Sequence, residues 1–144
     1  MTIQEQWLTV NGLRVHVLGA GSGDTPVILL HGGGLDSAVL SWELLIPVLA
    51  EKRDVIAADW PGFGLSDKPD AAYSMDWYLD YFPALLDSLK FEQVDLVGLS
   101  MGGAIALGTV LRSPARVRKL VLVDSYGLQS KAPMQLLSSL LIKM

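Results

Sequence analysis

Five residues constrain this chain more than any others: Gly98-Leu99-Ser100-Met101-Gly102. The apolar run Val94-Asp95-Leu96-Val97 precedes them, and Gly103, Ala104 and Ala106 follow. The run reads as a buried strand, and the small-residue stretch from Met101 to about Leu111 reads as a helix that stops near Ser113-Pro114. A serine caught between a strand and a helix sits on a tight, strained turn that lifts its hydroxyl above the sheet. Side chains at the flanking positions would clash, which is why Gly98 and Gly102 are small. The turn also aims a helix N-terminus at the hydroxyl, where peptide N–H groups favour developing negative charge. Gly-x-Ser-x-Gly arises often by chance; its position between strand and helix gives it weight.

The rest of the chain supplies a sheet for this turn to stand on. Trp7, Thr9, Leu13, Val15 and Val17 alternate around Asn11-Gly12, the strongest short signal for a hairpin. Pro26 to Leu30, Asp54 to Asp59 and Val117 to Asp124 are short apolar runs of the kind buried on both faces of a parallel sheet. Between them, the spacing predicts one helix from Ser41 to Glu51, with Pro47 fixing its start or kinking it. It predicts another from a Ser74 cap to about Lys90, with Pro83 kinking it or resetting its first turns. The order is therefore a hairpin followed by β-α-β-α-β-α-β. That is an α/β fold with a mostly parallel, doubly wound sheet. Sites in such sheets lie at the carboxyl ends of the strands, where His31, Asp59, Ser100 and Asp124 fall.

Composition removes several classes of function. The net charge is −4, and the densest basic stretch holds only Arg112, Arg116, Arg118 and Lys119. It reads as a solvated helix end rather than a phosphate patch, so neither nucleic acid nor an anionic membrane surface is expected as a partner. There is no cysteine, so no disulfide or zinc-thiolate site is available. No basic stretch followed by an apolar run opens the chain, and no apolar run reaches the ~20 residues of a membrane span; a cytoplasmic location is expected. Gly19-Ala20-Gly21-Ser22-Gly23-Asp24 lacks the last glycine of the dinucleotide fingerprint, which leaves nucleotide binding a poor reading.

His31-Gly32-Gly33-Gly34, at the end of its strand, is the natural companion of Ser100. Glycines there let backbone N–H groups turn toward an oxyanion. The amide of Gly33 is expected to share that task with the amide of Met101. With Asp59-Trp60-Pro61-Gly62-Phe63-Gly64-Leu65-Ser66-Asp67 and Leu120-Val121-Leu122-Val123-Asp124, these motifs resemble the N-terminal half of an α/β-hydrolase of the single-domain esterase and carbon–carbon-bond hydrolase type. The resemblance covers essentially the whole chain. It implies a core over residues 1–132 and the start of a lid helix over 133–144, where Leu136, Leu137, Leu140 and Leu141 recur at helical spacing. It implies acyl chemistry, because relatives that open epoxides or remove halides carry aspartate at the elbow. It implies a small acyl substrate and neither metal nor cofactor.

A serine nucleophile needs a base, and in this fold the order is Ser, then Asp or Glu, then His. The chain's two histidines, His16 and His31, both precede Ser100. His16 is expected to be an ordinary surface or sheet-face residue, and His31, by the resemblance, to shape the glycine loop. Asp124 has two readings, triad acid or strand-end structural residue; the second is preferred, because the usual acid lies one strand later, beyond Met144. Asp59, Asp67 and Ser66 are expected to bond backbone groups locally, and Trp42, Trp60 and Trp77 to pack. The expectation is a serine hydrolase whose chain, as it stands, is nearly inactive. The alternative is a non-catalytic binding module on the same scaffold.

Overall fold

A computed structural model describes residues 2–128. Six strands form one sheet: β1 (Gln4–Val10), β2 (Leu13–Ala20), β3 (Val27–Leu30), β4 (Val55–Ala58), β5 (Val94–Leu99) and β6 (Val117–Val123). Their order across the sheet is β1-β2-β4-β3-β5-β6. The first two strands make the expected hairpin, with Asn11 at φ 50 and Gly12 at φ 79, the left-handed pair that a two-residue turn requires. β2 joins β4 antiparallel, and every later pairing is parallel. After β4 the chain recrosses β3 to lay down β5 on its far side. The loops following β3 and β5 therefore lie side by side where the strand order reverses, the position that open α/β sheets use for ligands.

Alternation along the strands sends side chains to two cores. Ile28, Leu30, Ile56, Ala58 and Leu96 pack against α3 (Met75–Ser88) and α4 (Met101–Arg112). Val27, Leu29, Val55 and Ala57 pack on the other face against α1 (Ala38–Trp42) and α2 (Ile46–Ala50). Helices on both faces explain why β3 and β4 read as unbroken apolar runs. Among the described residues, no helix is long and apolar enough to cross a membrane.

One detail departs from the sequence expectation. The single helix over 41–51 is two short ones: Ser37 caps α1 through Leu40 N, and Pro47 sits in the first turn of α2, where a missing N–H costs nothing. Pro83 lies inside α3, and the helix runs through it to Ser88. β6 pairs with β5 in parallel, as its apolar run predicts, and is the last strand of the sheet among the described residues. The Ser74 cap is as expected, accepting from Trp77 N. The expected lid start over 133–144 lies outside the described residues.

The basic stretch is largely neutralised within the chain. Arg112 pairs with Asp76 and Asp80, Arg116 with Asp87, and Arg118 with Asp95. The first two clusters are exposed and contribute little. Asp95 differs: it is buried at the start of β5, held by a two-bond fork from Arg118 at 2.8 and 2.6 Å and by Arg53 at 2.7 Å. The Arg118 bonds are the main cause that holds its carboxyl down at about 2; burial opposes them and Arg53 adds to them. A carboxylate so lowered stabilises the fold above its unfolded value near 3.8 and ceases to as the pH falls through about 2. Replacing Asp95→Asn should cost about 1–2 kcal/mol at pH 7, allowing for solvent screening of the partly exposed arginines. In urea denaturation the gap between variant and parent should close as the pH falls from 4 toward 2.

Candidate active site

The turn at Ser100 is as tight as its glycines imply. Ser100 adopts φ 49 and ψ −112, a left-handed backbone that a side chain rarely takes, between the end of β5 and the first turn of α4. A Cβ at Gly98 would lie 2.5 Å from Gly102 O, and one at Gly102 would lie 2.3 Å from Leu30 O. Both obstacles are backbone, so neither can swing aside. The close approach is sealed from β6: Ser100 N–H donates to Val123 O at 3.0 Å, and Tyr126 N–H donates to Ser100 O at 3.0 Å. The strain at Ser100 is thus held by its neighbours on three sides.

The loop after β3 lies against this turn. A Cβ at Gly32 would lie 3.5 Å from Ser100 Cβ, and one at Gly33 would lie 3.6 and 3.7 Å from Met101 Sδ and Cβ. Gly33 therefore rests on Met101, bringing together the two residues expected to hold an oxyanion. Among the described residues, no hydrogen bond takes up the N–H of Gly33 or of Met101. Gly34, at φ 74, turns the chain out of the loop toward α1.

His31 orders this loop and is fully buried. Its Nε2 accepts from Trp60 N–H at 3.0 Å, so the ring proton is on Nδ1, which donates to Gly32 O at 2.8 Å. Burial is the main cause that lowers its pKa; the Gly32 bond and the carboxylates of Asp36 and Asp59 work against it. A neutral imidazole with both nitrogens committed is not placed to take a proton from Ser100. Trp60 also donates through Nε1 to His31 O at 3.3 Å.

His16 corrects one expectation. It stands on the sheet but is fully buried, and its Nδ1 lies 2.9 Å from Asp59 Oδ2. Asp59 also accepts from Ala38 N at 2.7 Å and Leu65 N at 2.9 Å, which ties β2, α1 and the turn after β4 to one carboxylate. Ser66 and Asp67 bond backbone groups, as expected: Ser66 Oγ donates to Asp59 O, and Asp67 accepts from Arg14 N. Asp124 lies at the end of β6 beside the turn, at φ 43 with its side chain exposed. Among the described residues, no hydrogen bond joins it to Ser100 Oγ. Trp42 and Trp60 are core, and Trp77 stacks on Tyr81 at 5.6 Å.

One residue went unnoticed in the sequence. Asp36 accepts from Gly32 N at 2.7 Å, from Ser37 N at 2.8 Å, and from Ser41 Oγ at 2.8 and 2.7 Å. A lone aspartate two residues past a glycine loop carries no signal of its own. Its role rests on the fold bringing its carboxylate back over the loop.

The packing separates two glycines that look alike in sequence. Gly98→Ala forces backbone apart and should cost roughly 1–3 kcal/mol. At Gly33 the added methyl meets only ordinary contacts, so Gly33→Ala should leave stability unchanged or raise it by up to ~1 kcal/mol. Thermal denaturation of the two variants checks the contrast.

Known proteins share this arrangement. The sequence model of the alpha/beta hydrolase fold family matches residues 25–141. The chain is 46% identical over 118 residues to 2-hydroxymuconate semialdehyde hydrolase of Pseudomonas sp. (strain CF600), covering 81% of this chain and 41% of that protein. Among solved structures, the meta-cleavage product hydrolase of Pseudomonas fluorescens superimposes with a TM-score of 0.81 at 37% identity, covering 85% of this chain and 45% of that one. A 2-hydroxy-6-oxo-6-phenylhexa-2,4-dienoate hydrolase of Rhodococcus sp. gives 0.82 at 35%, covering 91% and 49%. The chain spans about two fifths of the length of the curated relative it matches. With its sheet order, its strained serine turn and this match over most of its length, the chain belongs to the α/β-hydrolase fold family.

Proposed function

We propose that Ser100 is the nucleophile of a hydrolase that cleaves a small acyl substrate, and that the bond broken is a carbon–carbon bond next to a carbonyl. The observation that carries this reading is the strained Ser100, held at φ 49 beside the unbonded N–H groups of Gly33 and Met101. The relatives support the choice of bond: those named above are hydrolases of meta-cleavage products and of 2-hydroxymuconate semialdehyde. An ester is the alternative substrate, because acyl attack runs the same way on both.

In this reading Ser100 Oγ attacks the carbonyl carbon and gives its proton to a base. The carbonyl electron pair moves onto oxygen, and the N–H groups of Gly33 and Met101 bond that oxygen. Two fixed backbone donors stabilise the oxyanion more than the planar carbonyl, and this difference accelerates the step. The oxyanion then collapses, the bond to the leaving carbon breaks, and that carbon takes a proton. Water releases the acyl group from Ser100 by the same sequence in reverse roles. Gly98 and Gly102 keep the turn tight, while His31 and the glycines at 32 and 34 keep the loop in place.

The base is a group other than this chain's two histidines. His31 has both ring nitrogens engaged, and His16 is buried against Asp59. Asp124 directly follows Val123, whose carbonyl accepts from Ser100 N–H, and is the candidate acid this chain offers; the strand-end structural role is the preferred reading. The 144-residue chain alone should therefore show at most the ~10³–10⁴-fold acceleration over water that an oxyanion hole and binding can give without a triad.

The test uses the full-length gene product with 2-hydroxymuconate semialdehyde and, separately, p-nitrophenyl acetate. Loss of the dienol absorbance should be the faster reaction. Ser100→Ala should lower kcat by roughly 10³-fold or more on either substrate. Turnover unaffected by Ser100→Ala, or no turnover of either compound, would overturn the proposal.

A further inference from the structure

We infer that Asp36 is a positioning residue for the oxyanion hole, acting through the backbone of the glycine loop; the inference rests on the Ser100 reading. The loop has three peptide groups ahead of α1 that compete for the space over the serine. Each but one is already committed. His31 O accepts from Trp60 Nε1, Gly32 N–H donates to Asp36 Oδ2 at 2.7 Å, and Gly32 O accepts from His31 Nδ1. No peptide bond in the described residues is cis. In a trans peptide the N–H points opposite to the C=O. The bond that pulls Gly32 O toward the buried His31 ring therefore turns Gly33 N–H the other way, and the Gly33 that carries it packs beside Met101.

Asp36 supplies the other half of this control. Without its carboxylate, Gly32 N–H would be an unpaired donor next to Ser100, since Gly32 lies between the two: a Cβ on it would be 3.0 Å from Asp36 Oδ2 and 3.5 Å from Ser100 Cβ. Gly32 N–H shares its peptide plane with His31 O, whose other tie is the longer 3.3 Å bond from Trp60 Nε1. Freeing the N–H lets that plane turn about Gly32 and shift the next peptide, which carries Gly33 N–H. The charge-assisted bond to Asp36 is short and strong enough to prevent this. The aspartate is itself fixed. Ser37 N–H and the Ser41 hydroxyl hold its oxygens from α1, and α1 is anchored in turn where Ala38 N–H donates to Asp59. The link runs from Asp59 through α1 and Asp36 to the N–H of Gly32, and then across the Gly32 Cα to the peptide that carries Gly33 N–H.

Asp36 is partly buried and borders an open cleft of about 530 Å³ lined also by Gly34, Val39, Phe63 and Leu65. Water can therefore enter when the side chain is shortened, and the Asp36→Ala variant should fold. Asn keeps one oxygen that can accept from Gly32 N–H; its NH2 group can donate to Ser41 Oγ but gives up the bond from Ser37 N–H, so Asn is the conservative variant for the Gly32 contact.

The experiment measures kcat and KM per titrated active site in the full-length gene product. Asp36→Ala should lower kcat by about 10–100-fold with KM changed by less than about threefold, the pattern of a displaced transition-state donor. Asp36→Asn should recover most of the loss. Hydrogen exchange should show the Gly32 amide losing at least about tenfold protection in Asp36→Ala and little in Asp36→Asn. An unchanged kcat in Asp36→Ala, or a loss that Asp36→Asn does not relieve, would overturn the inference while leaving the Ser100 reading intact. A parent protein without Ser100-dependent turnover would remove both.

Discussion

The close approach of α4 to the strand ends is the constraint on which the site depends. Gly102 sits so near β3 that a single methyl would meet Leu30 O at 2.3 Å and His31 O at 2.6 Å. Gly98 and Gly103 remove the other obstacles, the second facing Ser125. Once the helix is that close, the chain can pass from β5 to α4 only through a left-handed residue, and Ser100 is that residue. The strain costs on the order of 1–3 kcal/mol and persists because packing on several sides over-determines it. What it brings is an oxygen standing clear of the sheet at the positive end of a helix.

The second requirement is order in a loop made mostly of glycine. Glycine permits the close approach of backbone to Ser100, yet it also permits many other conformations. The structure resolves this by using polar side chains as fixed points. His31 holds Gly32 O, Trp60 holds His31 O, Asp36 holds Gly32 N–H, and Asp59 holds the start of α1. Four side chains from two stretches of sequence leave Gly33 N–H and Met101 N–H, among the described residues, as donors without internal partners. Burial keeps His31 neutral, and neutrality is what lets one ring nitrogen donate while the other accepts.

How much of this was legible in the sequence follows from the range of each interaction. The serine turn, the Asn11-Gly12 hairpin and the Ser74 cap depend on residues a few positions apart, and pattern alone located them. The buried strands were legible because β3 and β4 are covered on both faces. The break between α1 and α2 was not, because the apolar spacing from Leu44 to Leu49 continues across it. His16 looked peripheral because its partner, Asp59, is 43 residues away. Asp36 was invisible for a related reason: its meaning lies in a chain reversal that no local pattern announces.

The measurement that bears most directly on the account is covalent labelling of the full-length gene product by a fluorophosphonate, followed by intact-mass and peptide mass spectrometry. A strained, activated Ser100 flanked by two free backbone donors should take one label, on Ser100, with the tetrahedral phosphoryl oxygen in the place of the oxyanion. Labelling should fall sharply in Ser100→Ala. A folded protein that takes no label, or takes it on a different residue, would contradict the claim that this turn and loop form a hydrolytic centre.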